Sequence, residues 1–210
     1  MSTGRTKDND IRYDLKTIAS WVPEGATVLG LGCGRGELLY HLKKKKKARC
    51  TGIDKDESRV AACIERGLTV LQGDISEEIK DYPDNAFDVV ILAQTLQQIY
   101  EPAPLLRSIL RVGKKCVVSF PNFSHWKVRA MLLLTGHAPV TRQLPYQWHN
   151  TPNIRVITLK DFRQYARQVG FGILKEIAIN TDKKGESGQV IRFLPDFRAT
   201  NGLFLIGKGK

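Results

Sequence analysis

Residues 28–37, Val-Leu-Gly-Leu-Gly-Cys-Gly-Arg-Gly-Glu, constrain this chain more than any other stretch. A short β-type run, Thr27 to Leu31, passes directly into Gly32, Gly34 and Gly36, and these lead into a helix-like segment from Glu37. Glycines alternating in this way between a strand and a helix let the backbone turn tightly and approach a ligand without Cβ interference. Taken alone, the triplet also fits a tight strand-to-helix turn with no ligand. An acid at the matching distance narrows the choice. Asp54 ends the next strand-like run, Cys50-Thr51-Gly52-Ile53-Asp54, where a carboxylate can accept both hydroxyls of a ribose. Together they predict a nucleoside-cofactor site at the carboxyl edge of an α/β sheet.

The bounds are those of an ordinary globular chain. Its 210 residues, 42% hydrophobic and 26% charged, suffice for one well-buried domain over 1–210. No apolar run approaches the ~20 residues of a membrane span. The polar start Met1 to Asp10 lacks the apolar core of a signal peptide, so a cytoplasmic protein is expected. Cys33, Cys50, Cys63 and Cys116 have no C-x-x-C spacing and read as reduced, mostly buried thiols. The four histidines show no ligand spacing, and no metal site is expected. A net charge of +12 keeps acidic partners in view. Its densest run, Lys43–Lys47, falls where cations complement the end of a helix dipole, and it contains no aromatic residue.

Strand-like segments at Thr27–Leu31, Arg49–Asp54, Leu68–Gln72, Phe87–Ala93, Lys115–Phe120, Ile173–Ile179 and Leu203–Gly207 alternate with helix-like ones. The helices are expected at 11–22, 37–45, 57–66, 104–112 and 159–169. Such alternation predicts a Rossmann-like, doubly wound, mostly parallel sheet of seven strands. The last two strands, joined by a Lys-, Gly- and Asp-rich loop, predict a reversed edge strand. Residues 122–157 break the alternation with a helix-like stretch and several Trp, Tyr, Pro and His residues. An insertion placed there is expected to overhang the cleft, with Trp126, Arg129, Tyr146 and Trp148 as candidate substrate or partner surface. Packing of this insert onto the body is the competing role for its aromatics. Asp74, in Gln72-Gly73-Asp74-Ile75 at the end of the third strand, is placed to accept from an adenine amino group.

The ensemble resembles the class I S-adenosylmethionine-dependent methyltransferases. Within them, Trp21-Val22-Pro23-Glu24-Gly25, Phe87 to Gln97, Ser119-Phe120-Pro121-Asn122 through Arg129, Leu144-Pro145-Tyr146-Gln147-Trp148 and Thr151-Pro152-Asn153-Ile154 resemble the MetW family of methionine biosynthesis proteins. The resemblance implies S-adenosylmethionine as cofactor, with S-adenosylhomocysteine its product form. It places Gly32, Gly34, Gly36, Asp54 and Asp74 on that cofactor and Gln94 at its methionine end. It also implies a homoserine O-acyltransferase as partner. An active small-molecule methyltransferase is the alternative, and a nucleic-acid methyltransferase ranks below it, because no nucleic-acid module is appended.

Two positions depart from the family pattern. Gly30 stands where Val-Leu-Asp-Leu-Gly-Cys-Gly is expected to carry its aspartate, and Arg155 stands where a histidine is expected. Loss of a charge-assisted hydrogen bond costs roughly 1.5–3 kcal/mol, which predicts weakened cofactor binding. Gln94, Thr95, Gln97 and Gln98 do not titrate near neutrality, and no catalytic base stands out. Tyr100, His125, Tyr146 and His149 are the proton-handling groups available in the cleft loops.

Overall fold

Val28-Leu29, Val89-Val90-Ile91-Leu92 and Cys116-Val117-Val118 are apolar on consecutive residues, so strands built from them need cover on both faces. The computed structural model, which describes residues 11–182 and 185–209, has that arrangement. Val28, Val89, Ile91 and Val117 enter one buried cluster, while Leu29, Val90, Leu92, Cys116 and Val118 enter the other. Helices α1 (Tyr13–Trp21), α2 (Glu37–Lys46) and α3 (Glu57–Glu65) cover the first face through Ile18, Leu39, Leu42 and Cys63. The other face is covered by α4 (Ile75–Glu78), α5 (Pro102–Val112) and α7 (Leu159–Val169), through Ile75, Leu106, Ile109 and Phe162.

The strands are β1 (Thr27–Leu31), β2 (Arg49–Asp54), β3 (Thr69–Gln72), β4 (Phe87–Ala93), β5 (Gly113–Pro121), β6 (Phe171–Thr181), β7 (Gly188–Val190) and β8 (Asn201–Lys208). They lie in the order β3-β2-β1-β4-β5-β8-β6-β7. The first five run parallel, β8 is antiparallel to both β5 and β6, and β7 forms a reversed edge on β6. The sheet therefore has eight strands among the described residues, against the seven expected. The extra one is β7, Gly-Gln-Val, too short to show alternation. Pairing creates it, through Ile179 with Val190 and Thr181 with Gly188. The single turn α8 (Pro195–Arg198) was equally hidden in the last loop. Phe120, Phe162 and Phe204 are fully buried together, with ring centroids 4.5–5.5 Å apart, and lock β5, β8 and α7.

From β1 the chain moves outward to β2 and β3, then returns to lay β4 on the other side of β1. That reversal opens a crevice at the carboxyl ends of β1 and β4, where ligands of open α/β sheets sit. Residues 122–157 overhang it. Their one helix, α6 (Trp126–Thr135), buries only Val128 and leaves Leu133 and Leu134 more than four-fifths exposed. The segment is tied at its ends: Asn122 Nδ2 donates to the Ala199 carbonyl (2.8 Å), Phe123 N–H to Ile157 (3.0 Å) and Arg155 N–H to Gln97 (3.0 Å). No helix among the described residues is long and apolar enough to cross a membrane. Residues 1–10, read above for targeting signals, lie outside the described residues.

Candidate functional site

Gly32, Gly34 and Gly36 all take positive φ, 62°, 59° and 74°, but they need glycine for different reasons. A Cβ on Gly32 would sit 2.7 Å from Thr95 Oγ1, and one on Gly36 would strike Leu68 and lie 2.8 Å from Cys63 Sγ. A Cβ on Gly34 would meet nothing within 4 Å. Gly34 is thus the bare backbone facing open space, Gly32 is pinned beneath Thr95, and Gly36 is a packing glycine that starts α2. The loop hangs on β2: Gly32 N–H and Cys33 N–H donate to the Ile53 carbonyl (2.8 and 3.2 Å), and Gly34 N–H donates to Asp54 Oδ2 (2.7 Å). Asp54 Oδ1 accepts from Asp56 N–H (3.1 Å), with Arg59 at 4.0 Å. Only 3% exposed, Asp54 orders the loop and keeps a second lone pair on each oxygen for another donor.

Three cavities meet above this loop. The largest, about 780 Å³, is bordered by Gly32, Asp54, Lys55, Asp74, Gln94 and Tyr100. The second, about 180 Å³, is bordered by Arg12, Gly30, Gly34, Arg35, Glu37 and Gln94. The third, about 310 Å³, lies between Arg12, Asp14, Gln94, Gln97, Arg142 and Asn201. Gln94 borders all three. Its φ of 55° is left-handed, a conformation that costs a non-glycine residue about 1–3 kcal/mol. Neighbours hold it there: its N–H donates to the carbonyl (2.9 Å) and Oγ (3.2 Å) of Ser119 on β5, and Nε2 donates to Asn201 Oδ1 (3.3 Å) on β8. Two further cavities, one beneath Arg155 and one along Trp126, do not reach Gln94.

Asp74 lies at the rim, where Oδ1 caps α4 by accepting from Ser76 N–H (2.8 Å). At Gly30 the structure shows what occupies the place of the expected acid. Gly30 pairs across the strands with Gly52, and Leu39 of α2 leans over both: a Cβ at Gly30 would be 3.0–3.3 Å from its branched end. The same cavity wall carries Arg12, Arg35 and Glu37. Arg12 holds the buried carboxylate of Asp14 through both guanidinium donors, Nε at 3.0 Å, and that bond raises its pKa. Burial pushes the Cys33, Cys63 and Cys116 thiols up, and Cys50 up to about 11.

The four insertion residues singled out in the sequence separate. Tyr146 borders the third cavity and Trp126 the neighbouring one. Arg129 is structural, donating to the Ser124 carbonyl (2.8 Å) and covering the Phe197 ring, and Trp148 is exposed. Of the proton-handling candidates, His125 caps α6 through Nδ1, and burial lowers its pKa. His149 packs edge-on against Trp148, while Tyr100 borders the largest cavity. Arg155 acts as a tether, donating to the carbonyls of Ile99 and Tyr100. The lysine run ends α2: Lys43 donates to the Gly67 carbonyl (2.6 Å), Lys44 lies over Tyr40 and Lys47 faces Glu24. Arg12, Asp14, Arg142 and Asn201 had not been singled out, because only the fold brings these distant positions together with Gln94 and Gln97.

The family model described as methionine biosynthesis protein MetW matches residues 12–206. A bifunctional methionine biosynthesis protein MetXA/MetW from Rhodopirellula baltica is 31% identical over 84% of this chain. The match spans only 30% of that longer relative. A ubiquinone biosynthesis O-methyltransferase from Methylococcus capsulatus is 28% identical over 71% of the chain and 64% of its own length. Among solved structures, an S-adenosylmethionine-dependent methyltransferase from Archaeoglobus fulgidus superposes with a TM-score of 0.68 at 17% identity. That match covers 93% of this chain and 91% of the other. At that identity the likeness shows the fold, an α/β Rossmann-like methyltransferase fold. With a family model matching nearly its whole length, the chain belongs to the MetW family.

Proposed function

We propose that this protein binds S-adenosylmethionine and S-adenosylhomocysteine across the first two cavities and serves methionine biosynthesis in the cytoplasm, beside a homoserine O-acyltransferase. The observation that carries the reading is the convergence at Gln94: a nucleoside-sized space whose walls include Asp54 and Asp74, and a smaller one whose walls include Arg35 and Glu37, meet at that side chain. The residues present fit such a group. Asp54 has lone pairs left for ribose hydroxyls, and Asp74 has an oxygen free of its cap for an adenine amino group. Gly32 and Gly34 bring backbone to the nucleoside, and Gly36 supports them by packing. Arg35 matches a carboxylate, while Glu37 matches an ammonium in place of the acid missing at Gly30. When bound, the sulfonium would bring an electrophilic methyl group, and Gln94, which borders all three cavities, would line its surroundings.

For the partner, support comes from the Rhodopirellula baltica relative, named as one bifunctional MetXA/MetW protein. Calorimetric titration of ligand-stripped protein with each of the two nucleosides tests the cofactor reading. Micromolar binding is expected, and no heat at millimolar ligand would overturn it. Co-purification with the homoserine O-acyltransferase tests the partner. A second reading, methyl transfer to a small molecule, is favoured by the third cavity, which opens on Gln94. Label from methyl-labelled cofactor appearing in a small acceptor would establish it.

A further inference from the structure

The third cavity has a composition of its own. Its ionisable walls are Arg12, Asp14, Arg142 and the phenol of Tyr146. Arg12 and Asp14 neutralise each other in a two-donor pair. Arg142 has no hydrogen-bond or ion-pair partner among the described residues. Its Nη2 lies 3.3 Å from where a Cβ on Gly185 would be, against a turn that glycine leaves open. One guanidinium without an ion-pair partner among the described residues therefore borders the space, and the other polar walls are uncharged: the Thr181 hydroxyl and amides that include Gln97, Gln98 and Gln143.

Gln97 adds a second, independent mark. It is 6% exposed, its Nε2 donates to the Gln94 carbonyl (2.8 Å), and its buried Oε1 has no donor. Native proteins pair such acceptors, and a ligand hydroxyl or ammonium can complete this one. We propose that the third cavity binds a small monocarboxylate bearing a hydroxyl or amino group, with Arg142 on the carboxylate and Gln97 Oε1 on the donor. A single net positive charge suits a monoanion better than a doubly charged phosphate. The volume of about 310 Å³ lies at the lower end of the range for ligand sites, about 300–1,000 Å³. That this ligand stands beside the transferable methyl group rests on the cofactor reading above; its recognition by Arg142 and Gln97 does not.

The test is a chemical-shift titration of the full-length ¹⁵N-labelled protein with 4-hydroxybutyrate, its amide 4-hydroxybutyramide, and butyrate, with and without S-adenosylhomocysteine. The hydroxy acid is expected to bind about tenfold tighter than the amide, as for one charge-assisted contact. Arg142→Ala should erase that preference and Arg142→Lys should keep most of it. Gln97→Leu should erase the preference for 4-hydroxybutyrate over butyrate. Equal affinity of acid and amide, or a preference that survives Arg142→Ala, would overturn the proposal. Should Arg142→Ala fail to fold, the wild-type comparison of acid with amide decides. Carboxylate binding without S-adenosylhomocysteine binding would remove the cofactor reading and leave this one. The opposite pair of results would do the reverse.

Discussion

Between Thr27 and Asp54 the polar groups at the cleft are already engaged by backbone, whereas between Asn122 and Ile157 the chain leaves leucines and tryptophans in solvent. Asp54 holds two N–H groups, the Ile53 carbonyl holds two more, and Gly32 and Gly36 sit where no side chain fits. The overhanging segment is fixed at its two ends, and α6 between them buries a single side chain. The difference is one of preorganisation: the glycine loop is held in one geometry, while the overhanging segment keeps its apolar surface exposed.

The contrast breaks first where the loop is tightest. Gly36→Ala introduces a Cβ at φ 74° against Leu68 and Cys63 and is expected to cost about 3 kcal/mol in urea unfolding. Asp54→Asn turns one acceptor of a backbone N–H into a donor and is expected to cost about 2 kcal/mol, with loss of nucleoside binding by calorimetry. Gly30→Asp sharpens the comparison. Cofactor binding should tighten about tenfold, while the ligand-free fold loses about 1 kcal/mol as Leu39 gives way. An unchanged or weaker dissociation constant would refute that role for the missing acid.

At the opposite, amino ends of β1 and β4, Asp88 is held well below the usual carboxylate range by Lys114 and by the N–H and hydroxyl of Thr27. Its folded value being depressed, the stability it brings is complete above about pH 4 and is lost as pH falls through the folded value. Asp88→Asn should therefore be less stable than wild type near neutrality and converge with it in acid, followed by thermal melts across pH. The smallest effect is expected on the overhang: Leu133→Ala, 85% exposed, should shift stability by no more than about 0.5 kcal/mol.

The legible parts of the sequence were those where local pattern and fold agree. The ends of β1, β2 and β4 fell where the apolar runs end, and the glycine loop lay where its spacing put it. The overhang was legible as a segment but not residue by residue. Of its aromatics, Tyr146 reaches the third cavity, whereas Trp148 points to solvent and the Arg129 guanidinium is occupied with Ser124 and Phe197. The third cavity was legible only in pieces: Gln94, Gln97 and Tyr146 stood out separately, and nothing local joined them to its other walls. Asp14 comes from α1, Gln97 from the turn after β4, Arg142 from the overhang and Asn201 from the reversed strand β8. Neither β7 nor the Gly30–Leu39 contact could be read locally, since both exist only through cross-chain pairing and packing.

The central claim is that the three cavities meeting at Gln94 form one site for a nucleoside cofactor and a small ligand. A crystal structure of the protein soaked with S-adenosylhomocysteine tests it most directly. Adenine beside Asp74, ribose hydroxyls on Asp54 and the sulfur next to Gln94, open toward Arg142, is the expected result. A nucleoside bound elsewhere, or none at saturating ligand, would contradict it.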